Sequence, residues 1–240
     1  AQLADKMTAA LTQGDQAKFE EYDDKLGFYT PILKGFLTEL GLEAANHGMQ
    51  VFGGHGYIKE HGMEQIARDA RIATLYEGTT GVQALDLIGR KVLLSSKGKV
   101  VRDYTAEILR FCGRHAPNKY MRRFAWDLTK ICAQWNALTV RLMLAARKDR
   151  DIVSSASVDF LMFSGYAMMA YYWAQQAAVA SEKLESGNGA ETPEFYKAKI
   201  KIADFYFERI LPRTQGHAEA MVNPSKTMMS LAPEHFSFDY

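Results

Sequence analysis

Apolar residues recur at helical spacing along almost the whole chain, and no alternating run is long enough to form a strand. Tyr22, Leu26, Tyr29, Leu33, Phe36 and Leu40 are separated by fours and threes, which predicts one apolar helix face. Pro31 lies inside this run and either opens the helix behind Thr30 or sits within a longer one. The helix is expected to continue to Phe52, where Gly53-Gly54-His55-Gly56 breaks it. A second helix is expected over 63–76, with Glu64–Arg68 and Asp69–Arg71 as ion pairs. A third is expected from Thr80, where Thr80 and Gln83 have capping-box spacing. It carries Val82, Leu85, Ile88 and Val92 on its apolar face and an Asp86–Arg90 pair.

The stretch SSKGKVVR, residues 95–102, is polar, basic and contains Gly98, so a domain boundary is placed there: 1–95 and 96–240. Four further helices follow. One spans 103–115 and is stopped by Ala116-Pro117-Asn118. One carries Met121, Phe124, Leu128, Ile131, Trp135, Leu138 and Leu142 at threes and fours. One spans 155–185 and ends at Gly187, and one opens with Thr192 as cap and Pro193 behind it and stops near Pro212. Short joints between them predict an antiparallel bundle, with residues 213–240 as an extended tail. The fold class is therefore all-α, a helical domain followed by a second, four-helix bundle-like one. Trp126, Trp135 and Trp173 all sit in helical runs and read as core.

Residues 160–180 carry no charge, long enough to cross a bilayer. Ser164, Gln175, Gln176 and the many Ala and Gly positions favour a helix buried in the bundle, with Tyr172 and Trp173 covered, so no integral membrane span is expected. Lys+Arg 29 against Asp+Glu 28 gives a net charge of +1, which argues against a nucleic-acid partner. Cys112 and Cys132 stand outside any CxxC and read as core thiols of a reducing compartment. His55 and His61 lack a third ligand at metal spacing, so no metal is expected, and His217 and His235 carry no signal. The opening residues have no basic segment followed by an apolar run, and the chain is read as starting inside a longer protein.

Chemistry concentrates in 50–83, QVFGGHGYIKEHGMEQIARDARIATLYEGTTGVQ. Three glycines within four residues permit positive φ and close backbone approach, as in a plain helix–helix turn or beside a ligand. The spacing is not GxGxxG after a strand, which excludes a dinucleotide-binding turn of that type. Glu77 stands between the end of one helix and the start of the next, flanked by Tyr76 and Gly78. It is either a solvated surface carboxylate or a general base beside an apolar pocket.

In sequence order, Gln50-Val-Phe-Gly-Gly-His-Gly-Tyr57, Glu64-Gln65, Arg68-Asp69-Ala70-Arg71-Ile72 and Tyr76-Glu77-Gly78-Thr79 closely resemble the C-terminal signature of acyl-CoA dehydrogenases, over residues 25–94. Residues 103–240 are similar to the extra helical domain of larger bacterial members, among them enzymes acting on methylthiopropionyl-CoA. The resemblance implies an FAD enzyme of fatty-acid β-oxidation type that oxidises an acyl-CoA to the trans-2-enoyl-CoA. It implies that Glu77 removes the α-proton, that hydride passes to the flavin, and that the Glu77 N–H and a flavin hydroxyl hold the thioester oxygen. A free Glu, with pKa ~4.3, is a weak base, and exclusion of water by the acyl chain would raise it. Gly78 would contact substrate. Gln50, Val51, Phe52, Gly53 and Gly54 would pack on the adenosine end of a neighbouring subunit's flavin, the glycines at 53, 54 and 56 clearing space for it. Thr79, Thr80 and Gly81 would approach the flavin through backbone and hydroxyl groups. The implied partners are an electron-transfer flavoprotein and further copies of the chain, as a dimer or tetramer. The implied location is the cytoplasm of a bacterium, with attachment to the inner membrane surface left open.

The two domains that precede this one in the family are not in the sequence, so the isolated chain is expected to be inactive and to hold FAD weakly. Two alternatives share the residues: an alkylation-response-type flavoprotein with a nucleic-acid-binding C-terminal domain, against which the low charge counts, and a non-catalytic helical oligomerisation module.

Overall fold

The computed structural model describes residues 2–223, 225–228 and 230–236, and these are helical, with no strand among them. Contacts divide the chain into two compact units between Val100 and Val101, in the first turn of a helix.

The first unit is organised on one long helix. Helix α1 (Gln2–Thr12) precedes α2 (Gln16–Val51), whose start is capped by the Asp15 carboxylate accepting from the Lys18 N–H at 3.1 Å. Pro31 lies inside α2, so the longer-helix alternative is the one realised. The buried face is Phe28, Ile32, Gly35 and Phe36; of the expected Tyr22–Leu40 series Phe36 alone is fully buried, Leu33 is half-exposed and the others are partly covered. At 100° per residue these two faces differ by roughly a quarter turn. Neighbours pack against the side of α2 that carries Phe28 and Ile32.

A helical turn α3 (Gly54–Tyr57) and a 3₁₀ turn at Lys59–His61 lead to α4 (Met63–Ile72). This helix ends four residues before the expected Tyr76, where a turn closes with the Leu75 N–H donating to Ile72 O at 3.0 Å. Asp69 accepts from Gln65 Nε2 at 2.7 Å, and Arg71 donates to Thr74 Oγ1 at 2.6 Å. The expected Asp69–Arg71 pair is thus not formed, since residues two apart point away from each other on a helix. Helix α5 (Thr80–Leu85) widens into π-helical Asp86–Ser95. Its buried positions are Ala84, Leu87, Ile88 and Val92, whereas Val82 and Leu85 are exposed, which corrects the expected face. Arg90 and Asp86 form the expected pair.

The second unit has a denser core. Helices α6 (Lys99–His115), α7 (Arg122–Ala145), α8 (Asp151–Ser186) and α9 (Pro193–Phe205, continued as a π-helical turn to Ile210) bury Ile108, Phe124, Leu128, Trp135, Phe160 and Phe163. Trp135 packs edge-to-face on Tyr104 and Phe163. Helix α8 is long and apolar enough to cross a membrane, but most of its apolar window is buried, as in the core helix of a bundle. Its Ser164 is buried and donates to Phe160 O at 2.7 Å, so the hydroxyl is satisfied within the helix. Gly187 ends α8 at φ +66°, and Thr192 caps α9 by accepting from the Phe195 N–H.

Three expectations fail here. Trp126 is 65% exposed under Lys130, and Tyr172 is 42% exposed; neither is core. Residues 213–221 are not extended but form α10 (Arg213–Met221), which buries Thr214, Ala218 and Met221. Its ties to α8 are polar: His217 Nδ1 lies 2.8 Å from Asp159 Oδ1, and Arg213 donates to the Tyr166 hydroxyl at 3.3 Å. Residues 237–240 of the expected tail lie outside the described residues. Cys112 and Cys132 are buried free thiols, and burial pushes the Cys132 thiol up to about 12.

Candidate active site

The loop between α4 and α5 is one of two turns in the first unit where a non-glycine residue at positive φ precedes a glycine at positive φ, the other being Lys97-Gly98. Glu77 has φ +52° and Gly78 φ +97°. A positive φ in glutamate is uncommon and costs about 1–2 kcal/mol. At Gly78 the angle is what requires glycine; a Cβ would lie 2.4 Å from Gln83 Nε2, the mobile end of a side chain that could swing aside. Gln83 spends its amide here, donating to Glu77 O at 3.4 Å, and is not part of a capping box. The residue at the N-cap position is Thr79, and the Thr80 hydroxyl instead donates to Glu39 Oε1 on α2 at 2.5 Å. On the other side of the loop, Lys34 of α2 donates to Ala73 O, and its ammonium stands 5.2 Å from the centre of the Tyr76 ring. Sequence reasoning gave Lys34 and Glu39 no role. Both lie at ordinary positions of a long helix, and only the return of the chain shows what they hold.

Within this frame the Glu77 side chain is exposed, and neither a hydrogen bond nor an ion pair holds its carboxylate among the described residues. No acceptor there takes the Glu77 N–H either. Leu75, Tyr76, Val82 and Leu85, which bracket the loop in sequence, are about half-exposed. The loop therefore presents an unengaged carboxylate and an unengaged N–H among uncovered apolar side chains.

The second predicted segment lies elsewhere. Gln50 and Val51 end α2, Phe52 caps it, and Gly53 turns the chain at φ +59°. Glu39 and Gln50 are about 16 Å apart along α2 at 1.5 Å per residue, so the 50–54 segment and the Glu77–Gly81 segment form two separate surfaces. Val51 is 86% exposed and Phe52 half-exposed. Nothing lies within 4 Å of where a Cβ would stand on Gly53, Gly54 or Gly81, whereas on Gly56 it would meet Met49 O at 2.4 Å. Gly56 thus serves the chain's own return against α2, a correction to the expectation that it clears space for a ligand. Separately, an open cleft of about 1070 Å³ lies between α2 and α4, floored by Leu42, Met49 and Ile72 and rimmed by Arg68 and Arg71. Glu77 does not line it.

Sequence comparison agrees with this division. Residues 3–93 match the family described as acyl-CoA dehydrogenase, C-terminal domain, and residues 104–232 match the one described as acetyl-CoA dehydrogenase C-terminal like. The 3-methylmercaptopropionyl-CoA dehydrogenase of Ruegeria pomeroyi is 37% identical over 204 residues, which is 85% of this chain and 34% of that protein. The chain belongs to the acyl-CoA dehydrogenase family. The broad-specificity linear acyl-CoA dehydrogenase FadE5 of Mycobacterium tuberculosis is 30% identical over 96% of the chain and 38% of its own length. A butyryl-CoA dehydrogenase of Syntrophomonas wolfei is 27% identical over 92% of the chain and 36% of its own length. The chain thus spans about a third of the length of these acyl-CoA dehydrogenase relatives.

Proposed function

We propose that this chain is the C-terminal part of an FAD-dependent acyl-CoA dehydrogenase that converts a linear acyl-CoA to its trans-2-enoyl-CoA, with Glu77 as the base. Residues 1–95 form the catalytic helical domain and 96–240 the additional one. The observation that carries the reading is the Glu77 loop: a carboxylate with no partner, set at a strained φ by contacts from α2 and α5. The names of the relatives, which cover methylmercaptopropionyl, butyryl and linear acyl thioesters, support a short or linear acyl chain.

Bound FAD supplies a hydride acceptor for the β-carbon. The chain's own residues do the rest. The Glu77 carboxylate takes the α-proton, and the Glu77 N–H stabilises charge growing on the thioester oxygen. Gly78, without a side chain, lets the thioester approach the backbone. An acyl chain covering Leu75, Tyr76 and Val82 would exclude water from the carboxylate and strengthen it as a base. Thr79, Thr80 and Gly81 would hold the flavin through backbone groups and the Thr79 hydroxyl, since the Thr80 hydroxyl proton is already given to Glu39. Gln50–Gly54 would hold the adenosine end of a flavin bound by a second copy, so the enzyme would act as a homo-oligomer. The flavin would hand its electrons to an electron-transfer flavoprotein in the cytoplasm.

The test is Glu77→Gln in the full-length enzyme. Flavin content and fold should persist, while reduction of the flavin by butyryl-CoA slows by about 10²–10⁴-fold or more. Glu77→Asp should keep part of the activity. Flavin reduction at the parental rate in Glu77→Gln would place the base elsewhere.

A further inference from the structure

The loop that carries Glu77 is gripped at both ends by one helix. Lys34 holds the entry, through Ala73 O and the face of Tyr76, and Glu39 holds the exit, through the Thr80 hydroxyl. The two anchors are about 7.5 Å apart along α2, so the loop spans a rigid ruler with Glu77 at its crest. Gln83 ties down the carbonyl of the crest itself.

The two grips differ in kind. Glu39 and Thr80 fix the first residue of α5, which the helix itself also orders. Lys34 holds a turn beyond the end of α4 at Ile72, which the Thr74, Leu75 and Tyr76 N–H groups close onto Arg71 O and Ile72 O, and Tyr76 and Glu77 precede α5. Its ammonium is half-buried and engages two groups of the same turn, a carbonyl and an aromatic face. A cation that gives a hydrogen bond and stacks on a ring is worth more than either contact alone in such a setting.

We propose that Lys34 is a positioning residue for proton abstraction: it locks the Ala73–Tyr76 turn so that the Glu77 carboxylate is presented at a fixed reach and angle. The assignment rests on Glu77 being the base. Lys34 is bonded to Ala73 O and stands over the Tyr76 ring, so it is assigned to act through the turn. A carboxylate must meet its proton within hydrogen-bond distance, and a misplacement of 1 Å costs rate without costing substrate affinity.

The experiment compares Lys34→Met, Lys34→Gln and Lys34→Arg in the full-length flavoenzyme with butyryl-CoA, beside Glu77→Gln. It also measures amide exchange of residues 74–76 in the same enzyme. Methionine keeps the length of the side chain and removes donor and charge, glutamine keeps a donor alone, and arginine keeps both. Lys34→Met and Lys34→Gln should lower kcat by about 10–100-fold with KM within about two-fold. Exchange at 74–76, whose N–H groups close the turn, should accelerate while the second unit is unchanged, and Lys34→Arg should return both readouts towards the parent. Parental kcat in Lys34→Met or Lys34→Gln, unchanged exchange at 74–76, or failure of arginine to rescue would each overturn the proposal. If Glu77→Gln keeps turnover, the base assignment fails on its own account, and the exchange data still decide whether Lys34 sets the turn.

Discussion

The two units spend apolar residues in opposite ways. In the second, the large side chains of α6 to α9 face one another, and Trp135, Phe160 and Phe163 are fully covered. In the first, the covered set is short: Phe28, Ile32, Phe36, Leu87, Ile88 and Val92, with a few alanines. Helix α4 has no buried residue at all, and Val51, Tyr57, Val82 and Leu94 stand largely in solvent. Strain is distributed in the same sense. The positive-φ glutamate and the loop glycines are all in the first unit. The second uses its one left-handed glycine, Gly187, to end a helix. A unit that is covered by its own residues is organised for stability, whereas one that leaves apolar groups and a strained carboxylate uncovered is organised to be completed by something else.

That contrast can be broken most easily at the centre of the denser unit. Trp135→Ala removes its largest fully buried side chain and should destabilise the second unit by about 3–5 kcal/mol. Circular dichroism melts would measure the loss, and amide exchange would show whether it stays within residues 101–236. A shift that spreads equally through the first unit would mean that the two do not differ as described. A smaller effect separates the glycines of the first unit. Gly56→Ala forces a Cβ against Met49 O and should cost about 1–3 kcal/mol. Gly54→Ala meets open space at an ordinary φ and should stay within about 0.5 kcal/mol of the parent. Equal melting temperatures for the two variants would remove the distinction between a glycine that serves the fold and one that serves a surface. The smallest effect should come from Val51→Ser and Val82→Ser. In the isolated chain both should stay within about 0.5 kcal/mol of the parent. In the full-length enzyme Val51→Ser should loosen flavin, read as FAD released on gel filtration. A large loss of stability in the isolated chain would mean that these side chains are already covered.

The helices of the second unit were legible because one strong period, from Phe124 through Leu142, points at one core, and because Thr192-Pro193 and Gly187 are unambiguous end signals. Helix α10 was not, since Thr214, Ala218 and Met221 are a weak apolar pattern and its attachments are polar. In the first unit the motif residues could be read, but the face of α2 could not. That helix is apolar on more than one side, and only packing selects Phe28–Ile32–Phe36 over Leu33. Trp126 was misread for a related reason: an aromatic residue in a helical run is buried only if another helix arrives there. The roles of Lys34 and Glu39 depend on contacts about forty positions away in sequence, which no local spacing encodes.

The left-handed backbone at Glu77 has a consequence for how such an enzyme could change over generations. Most residues with a Cβ bear this conformational penalty there, asparagine less than glutamate, and glycine would relieve about 1 kcal/mol of it. A laboratory lineage screened for heat resistance alone would therefore be drawn towards glycine or asparagine at position 77, gaining durability while deleting the group that takes the proton. Keeping a carboxylate at that spot requires continual selection for turnover.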